Sequence, residues 1–251
     1  MGQRIMKRLA DYSQYFLRRP QLIKELVGHS SIKKTDVVYD IGAGSGVISA
    51  VLATRAKQVV AIEAEPRMAQ KLRQNLARYD NVSVVESDVL RYDFPQAPYK
   101  VFANIPFHIS ADIVRRLFLG NAVPKAAYLV VQKQFAQKLL IDRAGFVGQL
   151  GAVLAPWCAF RIRRPLRRTD FWPHPNVDTV LLEIMPREEA LIDRKKLKAY
   201  EAMVVAAYHD PRQFRKLPLG AAGIDPSTKP SQLSLAQWLL LFAAHSGDLH
   251  R

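Results

Sequence analysis

The chain has 251 residues, 49% of them apolar, and carries 37 Lys and Arg against 22 Asp and Glu, a formal charge of +15. That length suits one large domain with a small appendage, and the apolar share excludes wholesale disorder. The single cysteine, Cys158, excludes an internal disulfide and a cysteine-rich zinc site, while the cationic excess points to a polyanionic partner, nucleic acid before membrane. No apolar run reaches the length of a membrane span. Met1-Gly2-Gln3-Arg4-Ile5-Met6 offers no apolar signal core and no Ser or Thr at position 6, so a cytoplasmic protein is expected.

In chain order, β-branched or apolar runs at residues 37–41, 59–63, 82–86, 100–103, 128–131, 159–163 and 180–184 read as strands. Between the early ones lie apolar residues at helical spacing, such as Met68, Leu72 and Leu76. This alternation predicts an α/β fold, a mostly parallel sheet with helices on both faces. The first strands are apolar throughout, as in strands buried on both sides. After Pro186 the strand pattern ends. Residues 193–208 read as a helix with Leu197, Tyr200, Val204 and Ala207 on one stripe. Ser234-Leu235-Ala236-Gln237 reads as a capping box that opens a last helix containing Trp238 and Leu241. A first domain over 1–186 and a small all-helical domain over 187–251 are expected.

Within the first domain, Asp40-Ile41-Gly42-Ala43-Gly44-Ser45-Gly46 joins a strand to a helix, and glycines there permit a tight turn and close backbone approach to a ligand. Glu63 ends the next strand, about 20 residues on, where a carboxylate can accept from both hydroxyls of a ribose. Asp88 ends the third strand, where it can reach an adenine amine. The rival to a nucleoside-type ligand is NAD. The G-x-G-x-G spacing, the lack of a basic residue in the turn and the absence of any hydride-transfer feature favour an adenosyl cofactor without a pyrophosphate.

Asn104-Ile105-Pro106-Phe107 follows the fourth strand. An adenine exocyclic amine is a poor nucleophile because its lone pair is delocalised into the ring. Acceptors that draw its two hydrogens towards a tetrahedral geometry expose that lone pair to a methyl donor. The Asn104 side-chain oxygen and the Ile105 carbonyl are candidates, Pro106 stiffens the turn, and Phe107 can stack on the base. Such a base must be unpaired or flipped from its stack. His108 is read as an RNA contact or a surface residue rather than a general base, because no proton need leave before transfer. The remaining histidines show no metal-ligand spacing, and no metal is expected.

Arg161, Arg163, Arg164, Arg167 and Arg168 crowd one segment just before Phe171. Clustered arginines neutralise phosphate and stack on bases, so they and Phe171 are candidate RNA contacts. Arg4, Lys7, Arg8, Arg18 and Arg19 form a second basic group.

With these residues read, the chain resembles the ribosomal RNA adenine N6-methyltransferases, the superfamily of the Erm macrolide-resistance enzymes and the KsgA/Dim1 dimethyladenosine transferases. Ser13-Gln14-Tyr15-Phe16-Leu17 is similar to the family's S-Q-N-F-[LI] opening, and Asp88-Val89-Leu90 to its D-[VI]-L. Phe171-Trp172-Pro173-His174-Pro175-Asn176-Val177-Asp178 is similar to its F-x-P-x-P-x-V-[DNS] loop. Residues 99–110 and 235–242, together with Gly42-Ala43-Gly44, resemble the Erm branch, whereas Ile224-Asp225-Pro226 also suits KsgA. The resemblance implies a Rossmann-like class I methyltransferase sheet in 1–186, S-adenosyl-L-methionine as cofactor, and cofactor contacts from Gln14, Tyr15, Leu17, Gly42, Gly44, Glu63, Ala64, Asp88, Val89 and Asn104. Tyr15 stands where the family usually has Asn, so a backbone contact there would survive and a side-chain amide contact would not. The implied partner is ribosomal RNA, 23S before 16S, and the implied protein is a monomer. Three functions follow: an Erm-type 23S methyltransferase, a KsgA-type 16S dimethyltransferase, and an RNA-binding ribosome-assembly factor without turnover.

Overall fold

The computed structural model describes residues 15–17, 19–141 and 146–247. Gln14 and the basic residues Arg4, Lys7, Arg8 and Arg18 lie outside them. Nine strands occur among the described residues: β1 (Phe16–Leu17), β2 (Val37–Ile41), β3 (Gln58–Glu63), β4 (Val82–Glu86), β5 (Lys100–Asn104), β6 (Ala126–Gln132), β7 (Cys158–Leu166), β8 (Phe171–Trp172) and β9 (Thr179–Pro186). Seven of them make one sheet in the order β4-β3-β2-β5-β6-β9-β7, and β1 pairs antiparallel with β8 apart from it.

The strands from β2 to β6 run parallel to one another, with Asp40 opposite Ala61, Ile41 opposite Ile62 and Asn104 opposite Val130. β9 is antiparallel to β6. Parallel strands need crossovers, supplied here by the helices Val47–Ala53, Pro66–Leu76 and Ser110–Phe118. Val38, Ile41, Val59, Ala61, Val101, Phe102 and the middle of β6 are fully buried, which explains their unbroken apolar runs. β4 is the exception to that expectation. It lies at the sheet edge and is only half-buried. The strand order reverses between β2 and β5, and open α/β sheets bind ligands at the carboxyl ends of strands at such a switch point.

Local chemistry fixes the turns that leave these strand ends. Gly46, the N-cap of the helix Val47–Ala53, has φ of 87°, and a Cβ there would approach the Leu72 Cδ1 to 2.7 Å. Only glycine meets both demands without strain. Glu65 caps the helix Pro66–Leu76 by accepting from the backbone N–H of Arg67 and Met68, with Pro66 at the first helical position.

The chain divides into two compact units, Met1–Ala136 with Arg161–Met185, and Gln137–Phe160 with Pro186–Arg251. The second unit thus takes in residues 137–160 besides those after 186. Its helices include Gln149–Leu154, Leu197–His209, Pro211–Arg215 and Leu235–Ser246. Tyr200 packs edge-on against Trp157 and Phe242, at 5.5 and 5.2 Å between centroids, and Tyr208 stacks on Trp238 at 6.0 Å. Leu197, Tyr200, Val204 and Ala207 are buried as one stripe. The Ser234–Gln237 capping box forms reciprocally, with the Gln237 N–H donating to Ser234 Oγ and the Ser234 N–H to Gln237 Oε1.

Candidate active site

The carboxyl ends of β2, β3 and β5 and the turn after β4 surround a cavity of about 250 Å³ in the first unit. From the β2 end, the backbone N–H groups of Gly42 and Ala43 donate to the Ile62 carbonyl, which folds the glycine turn back onto β3. The Gly44 N–H donates to Glu63 Oε2 at 2.8 Å, and the Glu65 N–H to Glu63 Oε1 at 3.0 Å. Both Glu63 oxygens are therefore oriented, each with a lone pair to spare, in a side chain only 8% exposed. Gly44 has φ of 56°, and a Cβ on it would press on the Phe16 ring at 3.1 Å, so the turn leaves room for a ligand only because it lacks a side chain.

Asp88 lies two residues beyond the end of β4 rather than on the strand, is exposed, and uses Oδ1 to accept from the Leu90 N–H at 3.0 Å. It lines the cavity with Ser87 and the buried Val89.

From β5, the Asn104 Nδ2 donates to the Tyr15 carbonyl oxygen. The reverse orientation would set two acceptors against each other. With the donor so used, the buried Asn104 Oδ1 has no hydrogen-bond partner among the described residues. An orphaned buried acceptor costs stability unless a ligand satisfies it. The adjoining Ile105 is buried, Pro106 has φ of −61°, and Phe107 begins a single 3-10 turn with its ring half-exposed. The Phe107 ring meets the Tyr15 ring at 5.3 Å with a 33° tilt.

The cavity wall brings together Tyr15, Gly42, Gly44, Glu63, Ala64, Asp88, Val89, Asn104, Ile105, Pro106 and Phe107. Leu17 is elsewhere, buried in the core opposite Phe171. Phe16 and Met68 also line it and were not among the candidates, and His108, read as an RNA contact or a surface residue, lines it as well. Phe16 could have been found from its place between Tyr15 and Leu17, whereas Met68 reads in the sequence as an ordinary apolar helix residue.

Beneath the turn, Asp40 is 1% exposed. Its Oδ2 accepts from Ser49 Oγ at 2.6 Å, and its Oδ1 has no partner among the described residues. Burial pushes its carboxyl up to about 7, the nearby Glu63 carboxylate adds to the rise, and the Ser49 hydrogen bond opposes it.

The arginine segment is partly self-neutralised. Arg163 pairs with Glu183 at 3.6 Å, Arg164 with Glu25 at 2.8 Å, and Arg168 with Asp178 at 3.5 Å. Arg19 pairs with the buried Asp170. Among the described residues, Arg161 and Arg167 are exposed and have no acidic side-chain partner. Phe171 is 1% exposed and belongs to the core, so its ring presents no face to RNA in this structure.

A family model described as ribosomal RNA adenine dimethylase matches residues 6–213. The chain belongs to that family. The mycinamicin-resistance protein MyrB of Micromonospora griseorubida is 33% identical over 82% of this chain and 68% of its own. Ribosomal RNA small subunit methyltransferase A of Latilactobacillus sakei is 29% identical over 91% of this chain and 86% of its own. A crystal structure of the 23S rRNA methyltransferase ErmE superposes with a TM-score of 0.76 at 28% identity, over 91% of this chain and 98% of that one. As a member of the ribosomal RNA adenine dimethylase family the protein is an S-adenosylmethionine-dependent methyltransferase. The oriented Glu63 carboxylate and the glycine cradle under Phe16 fit an adenosyl cofactor. Among the described residues no helix is long and apolar enough to cross a membrane, and no cluster of His, Cys, Asp and Glu could hold a metal.

The Asp40 environment predicts a pH effect on stability. The unfolded chain releases the Asp40 proton near 3.8 and the folded chain near 7. Between those values the folded state holds the extra proton, so stability falls as pH rises through that window. Asp40→Asn, which keeps an acceptor for Ser49, removes this component. In urea denaturation at pH 5 and pH 7.5, the midpoint should decline less in the variant than in wild type. Equal declines would mean that Asp40 ionises normally.

Proposed function

We propose that this protein methylates the N6 amine of an adenine in 23S ribosomal RNA and so confers resistance to macrolides. The observation that carries the chemistry is Asn104, whose buried side-chain oxygen has no partner among the described residues and which lies on the cavity wall with Phe107. S-adenosylmethionine supplies a methyl group on a sulfonium centre. Glu63 binds the ribose hydroxyls with its spare lone pairs, the Gly42–Gly44 turn lets the chain approach closely, and Asp88 with Val89 holds the cofactor's adenine. Asn104 Oδ1 and the Ile105 carbonyl accept the two N6 hydrogens of the target base, drawing its lone pair out of conjugation. Phe107 stacks on the base and favours the positive charge that builds on it. The proton leaves to solvent after transfer, so His108 has no general-base role. Fixed dipoles aimed at developing charge do the work, as in other preorganised sites.

The choice of 23S RNA rests on the names of relatives: the ErmE structure is of a 23S rRNA methyltransferase, and MyrB is a resistance protein. A second reading, dimethylation of 16S RNA during small-subunit maturation in the cytoplasm, is supported by the small-subunit methyltransferase of L. sakei, whose match covers more of the chain. Expression in a macrolide-sensitive bacterium separates them. Reverse transcription should stop at one adenine of 23S RNA, and erythromycin tolerance should rise. A stop in 16S RNA with unchanged tolerance would replace the first reading with the second.

Asn104→Ala should lower methyl transfer by about a hundredfold or more, the cost typical of removing one preorganised polar group. S-adenosylhomocysteine affinity should fall only a few-fold. Near-wild-type incorporation of tritiated methyl would sink the mechanism.

RNA contact should fall on the unpaired arginines. Arg161→Ala and Arg167→Ala should each lower the slope of log affinity against log salt by about 1. Substituting the paired Arg163, Arg164 or Arg168 should change it less, because their charge is already met by an acid. Equal slopes in both sets, read from filter binding at several salt concentrations, would refute the distinction.

A further inference from the structure

The Tyr15 side chain has no role in the chemistry above, yet its ring lies against the ring proposed to stack on the target base. Its ring lies on the cavity wall in contact with Phe107, at 5.3 Å between centroids. Two rings that held a base between them would stand about 7 Å apart, twice a stacking thickness. The pair must therefore part before an adenine can stack on the cavity face of Phe107. Both backbones are fixed. The Tyr15 carbonyl takes the Asn104 amide, β1 is paired with β8 immediately after it, and Phe107 is anchored by a turn in which Ser110 Oγ donates to the Pro106 carbonyl. The freedom left is rotation of a side chain. Among the described residues the Tyr15 hydroxyl makes no hydrogen bond, and the side chain packs against Phe107 and against the core.

We infer that Tyr15 is a specificity-determining shutter: its ring covers Phe107 until a flipped adenine displaces it, and then closes on the base's opposite face. The inference rests on the adenine reading of the site. It also gives meaning to the departure noted in the sequence, since the Asn usual at this position in the family has no ring to place there. With aromatic faces on both sides, a flat base is held and its developing charge is flanked twice. A non-aromatic or non-planar group gains nothing from parting the rings. The carbonyl of the same residue orients Asn104 independently of its side chain, so the two roles of Tyr15 can be separated by substitution.

The full-length protein is assayed with an rRNA fragment containing the mapped adenine, and with the same fragment carrying 2-aminopurine at that position. Tyr15→Ala should lower kcat/KM for the fragment at least fivefold and lose at least half of the 2-aminopurine quenching seen on binding to wild type. S-adenosylhomocysteine affinity, read by calorimetry, should stay within twofold. Tyr15→Phe should recover most of both losses. Tyr15→Ala with wild-type kcat/KM and quenching overturns the shutter. So does a parallel loss of S-adenosylhomocysteine affinity that Tyr15→Phe does not recover, since that marks a cofactor or folding role. A wild-type protein that transfers methyl groups to no adenine overturns the adenine reading itself, a result distinct from either.

Discussion

A primary amide has one end that donates and one that accepts, and fixing the first aims the second. Asn104 Nδ2 is committed to the Tyr15 carbonyl, and the buried Oδ1 is left without a partner among the described residues. The reactive geometry therefore depends on where a residue some ninety positions earlier puts its backbone. That backbone is itself held from far away. β1 pairs with β8, and the turn Arg168–Asp170 before β8 is tied down by Asp170, which accepts from the Arg167 N–H and pairs with Arg19 just after β1. Asp170 is buried, and a buried acid is tolerated when such partners satisfy it. One carboxylate thus clamps the segment before the site to the segment of the Phe171 loop.

That dependence explains what the sequence made legible and what it did not. The sheet was readable because β2, β3, β5 and β6 are buried on both faces and so are apolar apart from Asp40 and the strand ends. The glycine turn, Glu63 and the Asn104 tetrapeptide were readable because each follows such a strand. β1 and β8 were not readable, since two-residue strands have no periodicity. Without them, Phe171 looked like a base contact, whereas the register Leu17 opposite Phe171 puts it in the core. The arginine segment looked uniformly available for RNA. Its acidic partners Glu25 and Glu183 are remote in sequence or on a neighbouring strand, and only folding brings them within reach. Residues 137–160 read as a continuation of the first domain because their apolar content is unremarkable, yet Trp157 and Ala152 contact Tyr200 of the second unit.

The two acids below the cofactor turn divide the electrostatic labour. Glu63 accepts from two backbone amides, which hold its oxygens in fixed directions. Asp40, one strand over, has a single hydroxyl donor and full burial, so its neutral form is favoured to about pH 7. Two unscreened carboxylates at this depth would repel each other, and raising one of them relieves that cost. The site thereby has one oriented carboxylate on the cavity wall and a buried neighbour whose carboxyl is pushed up to about 7.

The same division of near and far governs RNA. A formal charge of +15 sets up a long-range field that draws any polyanion to the protein. At physiological salt the field decays over about 8 Å, so it brings RNA near without choosing a site. Arginines already paired to Glu183, Glu25 and Asp178 add to that field weakly, because their partners cancel them at a distance. Selection must then come from groups whose interactions are short-ranged and incomplete in the absence of substrate. Asn104 Oδ1, without a donor among the described residues, and the Phe107 ring, in contact with Tyr15, are two such groups. Neither gains from a phosphate, and both gain from a planar base with an exocyclic amine. On the proposed reading, specificity for adenine resides in the cavity, and the basic surface sets how often a base is offered to it.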